Sequence, residues 1–137
     1  MRLLPTQILM ISLDTKLLVR IFVDDPTHPE QSAVARKIAS QYKTVYVTQV
    51  VQVETVWVLS RAYTFSRVDI ALVLKNLLNN QAFSLENEAI FSLALQQYSV
   101  SNIDFSDAVI LQQSIHKNLK LLSFDKKLQK QSGVIMV

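Results

Sequence analysis

Apolar residues along the chain form short continuous runs that alternate with segments of helical spacing. The first run, from Ile8 to Leu13, ends at an acid, Asp14. Beyond it the apolar positions follow the period of a helix: Leu17, Leu18, Ile21 and Phe22. The pattern therefore predicts a strand over 8–13 and a helix over 15–23. Asp14 would lie at the carboxyl end of the strand, where ligands bind in open α/β sheets.

The same alternation continues to the end of the chain. It predicts strands over 44–47, 82–85, 119–123 and 134–137, and helices over 29–40, 50–62, 67–78, 88–98, 105–116 and 125–131. Strands that alternate with helices indicate an α/β fold in which helices flank a small central parallel sheet on both faces.

The segment 50–62 is ambiguous, because its β-branched residues favour a strand and its length favours a helix. We interpret it as a helix with Thr48 as its N-cap. Helical spacing then puts Glu54 on one side with Val50, Trp57 and Val58. This apolar face is expected to point inward, and to carry the Glu54 carboxylate inward with it.

Composition excludes several classes of site. The 137 residues contain no cysteine, two histidines and one glycine, which excludes thiolate metal sites, disfavours histidine-rich ones and excludes glycine-rich phosphate loops. The net charge of +3 permits a nucleic-acid partner. No apolar run is long enough to span a membrane, and the start does not resemble a signal peptide. We expect a single cytoplasmic domain, in which residues 1–9 form an N-terminal extension or Met10 is the true start.

Acids recur where predicted strands end and helices begin. Asp14 follows the first strand, Asp104 and Asp107 flank the start of one helix, and Asp125 follows the strand over 119–123. Carboxylates gathered on one rim, together with an inward Glu54, would repel one another unless a cation lay among them. Mg²⁺ or Mn²⁺ suits oxygen ligands of this kind.

The plainer alternatives are helix-terminal capping for the four aspartates and an ion pair with a basic side chain such as Arg61 for Glu54. The neighbouring Asp24 and Asp25 precede a proline turn and are expected to be solvated.

Four motifs in this order resemble one family. They are Leu13-Asp14-Thr15-Lys16-Leu17-Leu18-Val19-Arg20, Val53-Glu54-Thr55-Val56-Trp57-Val58-Leu59, Asp104-Phe105-Ser106-Asp107-Ala108 and Ser123-Phe124-Asp125-Lys126. They are similar to the PIN-domain family, and most of all to its VapC-type toxin ribonucleases. The resemblance implies a three-layer PIN-like fold, divalent-metal-dependent cleavage of RNA, a homodimer and a cognate antitoxin protein as partner.

The resemblance also assigns roles to individual residues. It carries over Asp14, Glu54 and Asp107 as the catalytic metal-binding acids, with Asp104 and Asp125 as additional metal ligands. Apart from the resemblance, Thr15, Lys16 and Lys126 are the candidate contacts to the RNA substrate, and the alternative for Lys126 is a solvated helix face.

Lys16 departs from the family pattern, which usually has a small polar residue at this position. Two unit charges about 4 Å apart interact by roughly 4 kcal/mol at an effective dielectric constant near 20, so an ammonium beside the site would weaken metal binding substantially. Lys16 could instead turn outward to an RNA phosphate. Lys16 leaves open a degenerate PIN domain that binds RNA or protein without cleaving. A flavodoxin-like regulatory domain is a third, weaker alternative, because Asp14 follows the first strand rather than a central one.

Overall fold

The computed structural model describes residues 9–137 and divides into two compact units. The first unit ends at Glu86, and the second is Asn87–Val137. The expected N-terminal extension, and the beginning of the first predicted strand at Ile8, lie outside the described residues.

The first unit contains a parallel sheet in the order β1-β2-β3, with β2 at its centre. Its elements are β1 (Met10–Ser12), α1 (Thr15–Phe22), α2 (Pro29–Ser40), β2 (Thr44–Val47), α3 (Gln49–Arg61), α4 (Arg67–Asn79) and β3 (Phe83–Leu85). Ile11 is in register with Val45, and Val45 with Phe83. Because the strands are parallel, their carboxyl ends meet at one edge, and Asp14, Thr48 and Glu86 follow those ends.

Local chemistry explains where these helices begin. The side chains of Asp14, Thr48 and Ser66 each accept a hydrogen bond from a backbone N–H in the first turn of α1, α3 and α4. Ser66 and Asp69 form a reciprocal capping box at α4. Pro29 occupies the first turn of α2, where its missing N–H costs nothing.

The segment after Thr48 is a helix, as predicted, but the prediction of its buried face is wrong. The buried positions of α3 are Val51, Gln52, Thr55, Val56 and Leu59. Val50 is 67% exposed and Trp57 is 51% exposed, and Glu54 is exposed beside them. Valine occurs on both sides of α3, so spacing alone did not identify the side that packs.

The second unit consists of α5 (Glu88–Val100), α6 (Phe105–His116), β4 (Leu121–Ser123), α7 (Lys126–Gln129) and β5 (Val134–Met136). Phe105 packs edge-on against Phe91 and Tyr98, with ring centroids 5.7 and 5.9 Å apart. These contacts fix the start of α6 against α5. Strands β4 and β5 pair in parallel, and Asp125 follows the end of β4.

The α/β fold with a small parallel sheet flanked by helices is confirmed. No helix in residues 9–137 is long and apolar enough to cross a bilayer.

Candidate functional site

Asp14 lies at the junction between β1 and α1. Its Oδ1 atom accepts a hydrogen bond of 3.0 Å from the backbone N–H of Leu17, so it caps the helix. The side chain is exposed, and its second oxygen has no hydrogen-bond partner within residues 9–137. Capping and metal binding are therefore compatible at this residue, since one oxygen serves each purpose.

Glu54 is held by Thr15, the residue that follows Asp14. The Thr15 hydroxyl Oγ1 donates a hydrogen bond of 2.6 Å to Glu54 Oε1. The contact joins the first turn of α1 to the exposed side of α3. It brings two of the predicted site residues together and leaves Glu54 Oε2 available. The alternative role of Glu54, an ion pair with Arg61, is not seen within residues 9–137, where the Arg61 guanidinium lies over the Trp57 ring, 5.3 Å from its centroid.

The second unit brings together the other predicted acids. Asp104, Asp107 and Asp125 line one cavity of about 290 Å³, together with Ile103, Lys126 and Lys127. Burial raises the pKa of Asp107 above its ordinary value, and the negative charges of Asp104 and Asp125 raise it further. A carboxyl perturbed by neighbouring acids in a cavity is typical of a functional site.

The aspartates of this cavity differ in whether their side chains cap a helix. Asp125 Oδ1 accepts hydrogen bonds from the backbone N–H groups of Lys127 and Leu128, at 2.8 and 3.1 Å, and so caps α7. Asp104 occupies the N-cap position of α6, yet its side chain makes no capping hydrogen bond. The capping role therefore does not account for the carboxylate of Asp104.

The donor chemistry of the acids fits a hard divalent cation, which takes carboxylate oxygens and keeps several waters. Asp14 and Glu54 each have a second oxygen available, and the three aspartates of the second unit line one cavity, which Lys126 and Lys127 also line. Within the described part of the chain, no group of three or more histidine, cysteine, aspartate or glutamate side chains is close enough to hold a metal ion.

A buried polar cluster was not anticipated from the sequence. Arg20 is 7% exposed; its Nε donates to Gln31 Oε1 at 2.8 Å, another guanidinium nitrogen donates to the Tyr63 hydroxyl, and a third pairs with Asp25 at 3.2 Å. The Tyr63 hydroxyl in turn donates to Asp25 at 2.8 Å. The expectation of a solvated Asp25 is therefore wrong. An arginine between the apolar positions of α1, followed closely by acids, was the available signal.

Hydrogen bonding and burial shift two pKa values in this cluster. The Thr27 hydroxyl and backbone N–H, and then the Tyr63 hydroxyl, hold the pKa of Asp25 far below its ordinary value. Burial, followed by the hydrogen bond to Asp25, raises the pKa of Tyr63. The cluster connects α1, α2 and the chain after α3. Arg20 and Gln31 also line a cavity shared with Asp14 and Lys16.

Comparison with known proteins identifies the fold family. A family model described as PIN domain matches residues 11–134, nearly the whole chain. A search of curated proteins finds no match. PIN domains are generally nucleases. With a match of this extent and the α/β architecture described above, the chain belongs to the PIN domain family.

Proposed function

We propose that the chain is a divalent-metal-dependent endoribonuclease and the toxin of a type II toxin–antitoxin pair, similar to VapC. Membership of a family of nucleases supports the reaction class. The observation that carries the proposal is the cavity of the second unit, which Asp104, Asp107 and Asp125 all line and in which the pKa of Asp107 is raised. Carboxylates in this state gain most from a cation.

In this proposal Asp14, Glu54 and Asp107 are the principal ligands of Mg²⁺ or Mn²⁺, and Asp104 and Asp125 assist. When bound, the ion supplies an activated water and neutralises charge on the phosphate. Thr15 orients the Glu54 carboxylate through its hydrogen bond. Lys126, on the rim of the second unit's cavity, attracts the RNA backbone.

Cleavage of single-stranded RNA by the full chain tests the proposal. With Mn²⁺ or Mg²⁺ present, the wild type should cut internal phosphodiesters, and excess EDTA should stop the reaction. Asp14→Asn keeps a capping side chain but loses the charge, so it should reduce the rate about 100-fold or more. Asp24→Asn is the matched control, since Asp24 is an exposed acid paired with Arg36. No cleavage by the wild type at high concentration would refute the nuclease.

Lys16 favours a second candidate, a PIN domain that binds RNA without cleaving it. Its side chain is exposed and lines the same cavity as Asp14, so its ammonium can oppose a nearby cation. Under this function the wild type binds RNA and leaves it intact, whereas Lys16→Asn gains Mn²⁺ affinity and cleavage. Calorimetry with Mn²⁺ and the cleavage assay together decide between the two candidates.

The partners of the proposed toxin are a second copy of the chain and an antitoxin, in the cytoplasm. Exposed apolar side chains on α3 and α4, among them Trp57 and Leu72, support an association surface. Expression in a bacterial host should arrest growth, and the product of a neighbouring gene should relieve the arrest. The Asp14→Asn variant, expressed to the same level, should leave growth unaffected. Equal arrest by this variant would contradict toxicity through RNA cleavage.

A further inference from the structure

The first unit contains a cavity that extends from Asp14 to residues with no role in the proposed metal site. This cavity of about 330 Å³ is lined by Asp14 and Lys16 at the start of α1, by Leu17 and Arg20 farther along it, and by Glu30, Gln31 and Val34 of α2. Its volume is near the lower end of the range for small-molecule sites, which suits a single ring system. Leu17 and Val34 give it apolar walls.

Two consecutive residues of α2 give this cavity a hydrogen-bond donor next to an acceptor. Gln31 Oε1 accepts from Arg20 Nε, so the amide nitrogen of Gln31 is left as the donor. Arg20 is buried and held by Asp25 and Tyr63, which fixes the orientation of Gln31. Glu30 offers a carboxylate that only accepts, and it has no ion pair or hydrogen bond within residues 9–137.

Lys16 adds a positive charge to the lining of this cavity, to which Asp14 also contributes. Its side chain is exposed and forms no ion pair or hydrogen bond within the described residues. An ammonium on a flexible stem is well suited to a phosphate oxygen, which it binds as a point charge. The cavity and its rim therefore combine apolar walls, a donor–acceptor edge and a phosphate contact.

We propose that this cavity binds one nucleobase of the RNA, next to the phosphate that is cleaved. The base lies between Leu17 and Val34, Glu30 accepts from its exocyclic amino group, and Gln31 donates to the adjacent ring nitrogen. Lys16 contacts the phosphate of the same nucleotide. Adjacent donor and acceptor groups match the edge of a base, and carboxylates pair with the amino group of cytosine. The proposal rests on the proposed function, because it takes the substrate to be RNA.

Binding of cytidine and uridine 5′-monophosphates tests the proposal without metal or cleavage. The two differ at the pyrimidine edge, where cytosine has an amino group and uracil a carbonyl. In EDTA, NMR titration of the isotope-labelled full chain should show shifts at Leu17, Gln31 and Val34, and cytidine monophosphate should bind about tenfold more tightly. Glu30→Leu removes the acceptor and should abolish this preference.

A pair of tryptophan substitutions on α2 tests the location. Val34→Trp fills the cavity and should weaken cytidine monophosphate binding at least about tenfold. Ser40→Trp is the matched control, because Ser40 lies on the same helix and lines a different cavity of about 310 Å³. It should bind as the wild type does. Circular dichroism establishes that both variants are folded.

The outcomes separate this inference from the proposed function. Binding of cytidine monophosphate that survives Val34→Trp, or no binding by the folded wild type, overturns the nucleotide site and favours a protein segment as its occupant. RNA cleavage with no nucleotide binding in EDTA refutes this site alone. Binding that Val34→Trp removes, in a chain that never cleaves RNA, supports the site and refutes the nuclease.

Discussion

At the scale of single residues, the acids of the candidate site differ in how many of their carboxylate oxygens already accept a hydrogen bond. One oxygen of Asp14 and one of Asp125 cap a helix, and one oxygen of Glu54 accepts the hydrogen bond from Thr15. Asp104 makes no capping hydrogen bond. Sequence patterns placed the aspartates beside helix starts correctly, because capping and turn chemistry are local. They did not predict the Thr15–Glu54 contact, which joins residues 39 positions apart.

The hydroxyl of Thr15 has a testable positioning role. Thr15→Val keeps the shape of the side chain and removes the donor to Glu54. We expect Mn²⁺ affinity and cleavage rate each to fall about tenfold, as is typical when a residue that orients a metal ligand is changed. Thr15→Ser retains a hydroxyl and should restore both. If calorimetry finds the same Mn²⁺ affinity in Thr15→Val and the wild type, Thr15 does not position the ligand.

Asp107 should destabilise the fold when no cation is present. Its raised pKa means that burial and the charges of Asp104 and Asp125 disfavour the ionised form. At pH 7 in EDTA, Asp107→Asn should therefore increase the free energy of unfolding, by about 0.5 kcal/mol after allowance for solvent screening. Urea unfolding measures the change. Asp69→Asn would lose a capping contact instead, so a gain of stability there as well would point to a general charge effect.

At the scale of elements, the predicted helices and strands largely coincide with those in the structure. The helices over 29–40 and 105–116 and the strand over 44–47 have the predicted bounds. Proline, N-cap residues and polar turns gave clear boundaries. Strands β3, β4 and β5 are each three residues long, shorter than predicted, because apolar runs extend beyond the paired residues. The packed side of α3 depends on distant partners, and local spacing does not encode it.

The cluster that joins α1, α2 and the chain after α3 should make stability depend on acid pH. The folded-state pKa of Asp25 is lowered, so its ionised form favours folding. That contribution is complete above the unfolded-state pKa, near about 4, and is lost as pH falls below it. Urea unfolding at pH 7 and pH 3 should show a smaller loss of stability for Asp25→Asn than for the wild type. An equal loss in both proteins would contradict this role, and Asp24→Asn serves as the exposed control.

At the scale of the whole molecule, exposed apolar side chains support the proposed self-association. Val50, Trp57, Val68 and Leu72 on α3 and α4 are each more than half exposed. The exposure of Val50 and Trp57 is the reverse of the inward face expected for α3 from the sequence. The local sequence pattern does not distinguish apolar residues that the fold itself buries from apolar residues that a partner could bury.

Trp57→Glu should convert a dimer of the full chain into a monomer. A charge at an apolar interface costs desolvation, and the substitution also removes the aromatic ring contacted by Arg61. Light scattering coupled to size exclusion measures the mass. Leu93→Glu, which alters an exposed apolar residue of α5, is the control. A wild type that is monomeric at high concentration, or equal dissociation by both variants, would contradict association through α3.

Under the proposed function, Asp14 both caps α1 and binds the cation. A cation on the second oxygen would then share the negative charge of this carboxylate with the Leu17 N–H. Asp14→Asn preserves the capping hydrogen bond and removes the charge, whereas Asp14→Ala removes both. The difference in unfolding free energy between Asp14→Asn and Asp14→Ala, expected to be about 1 kcal/mol, therefore measures how much the capping hydrogen bond stabilises the fold. The cap does not need the negative charge of Asp14. A change to asparagine could therefore end catalysis during evolution and still preserve the start of α1.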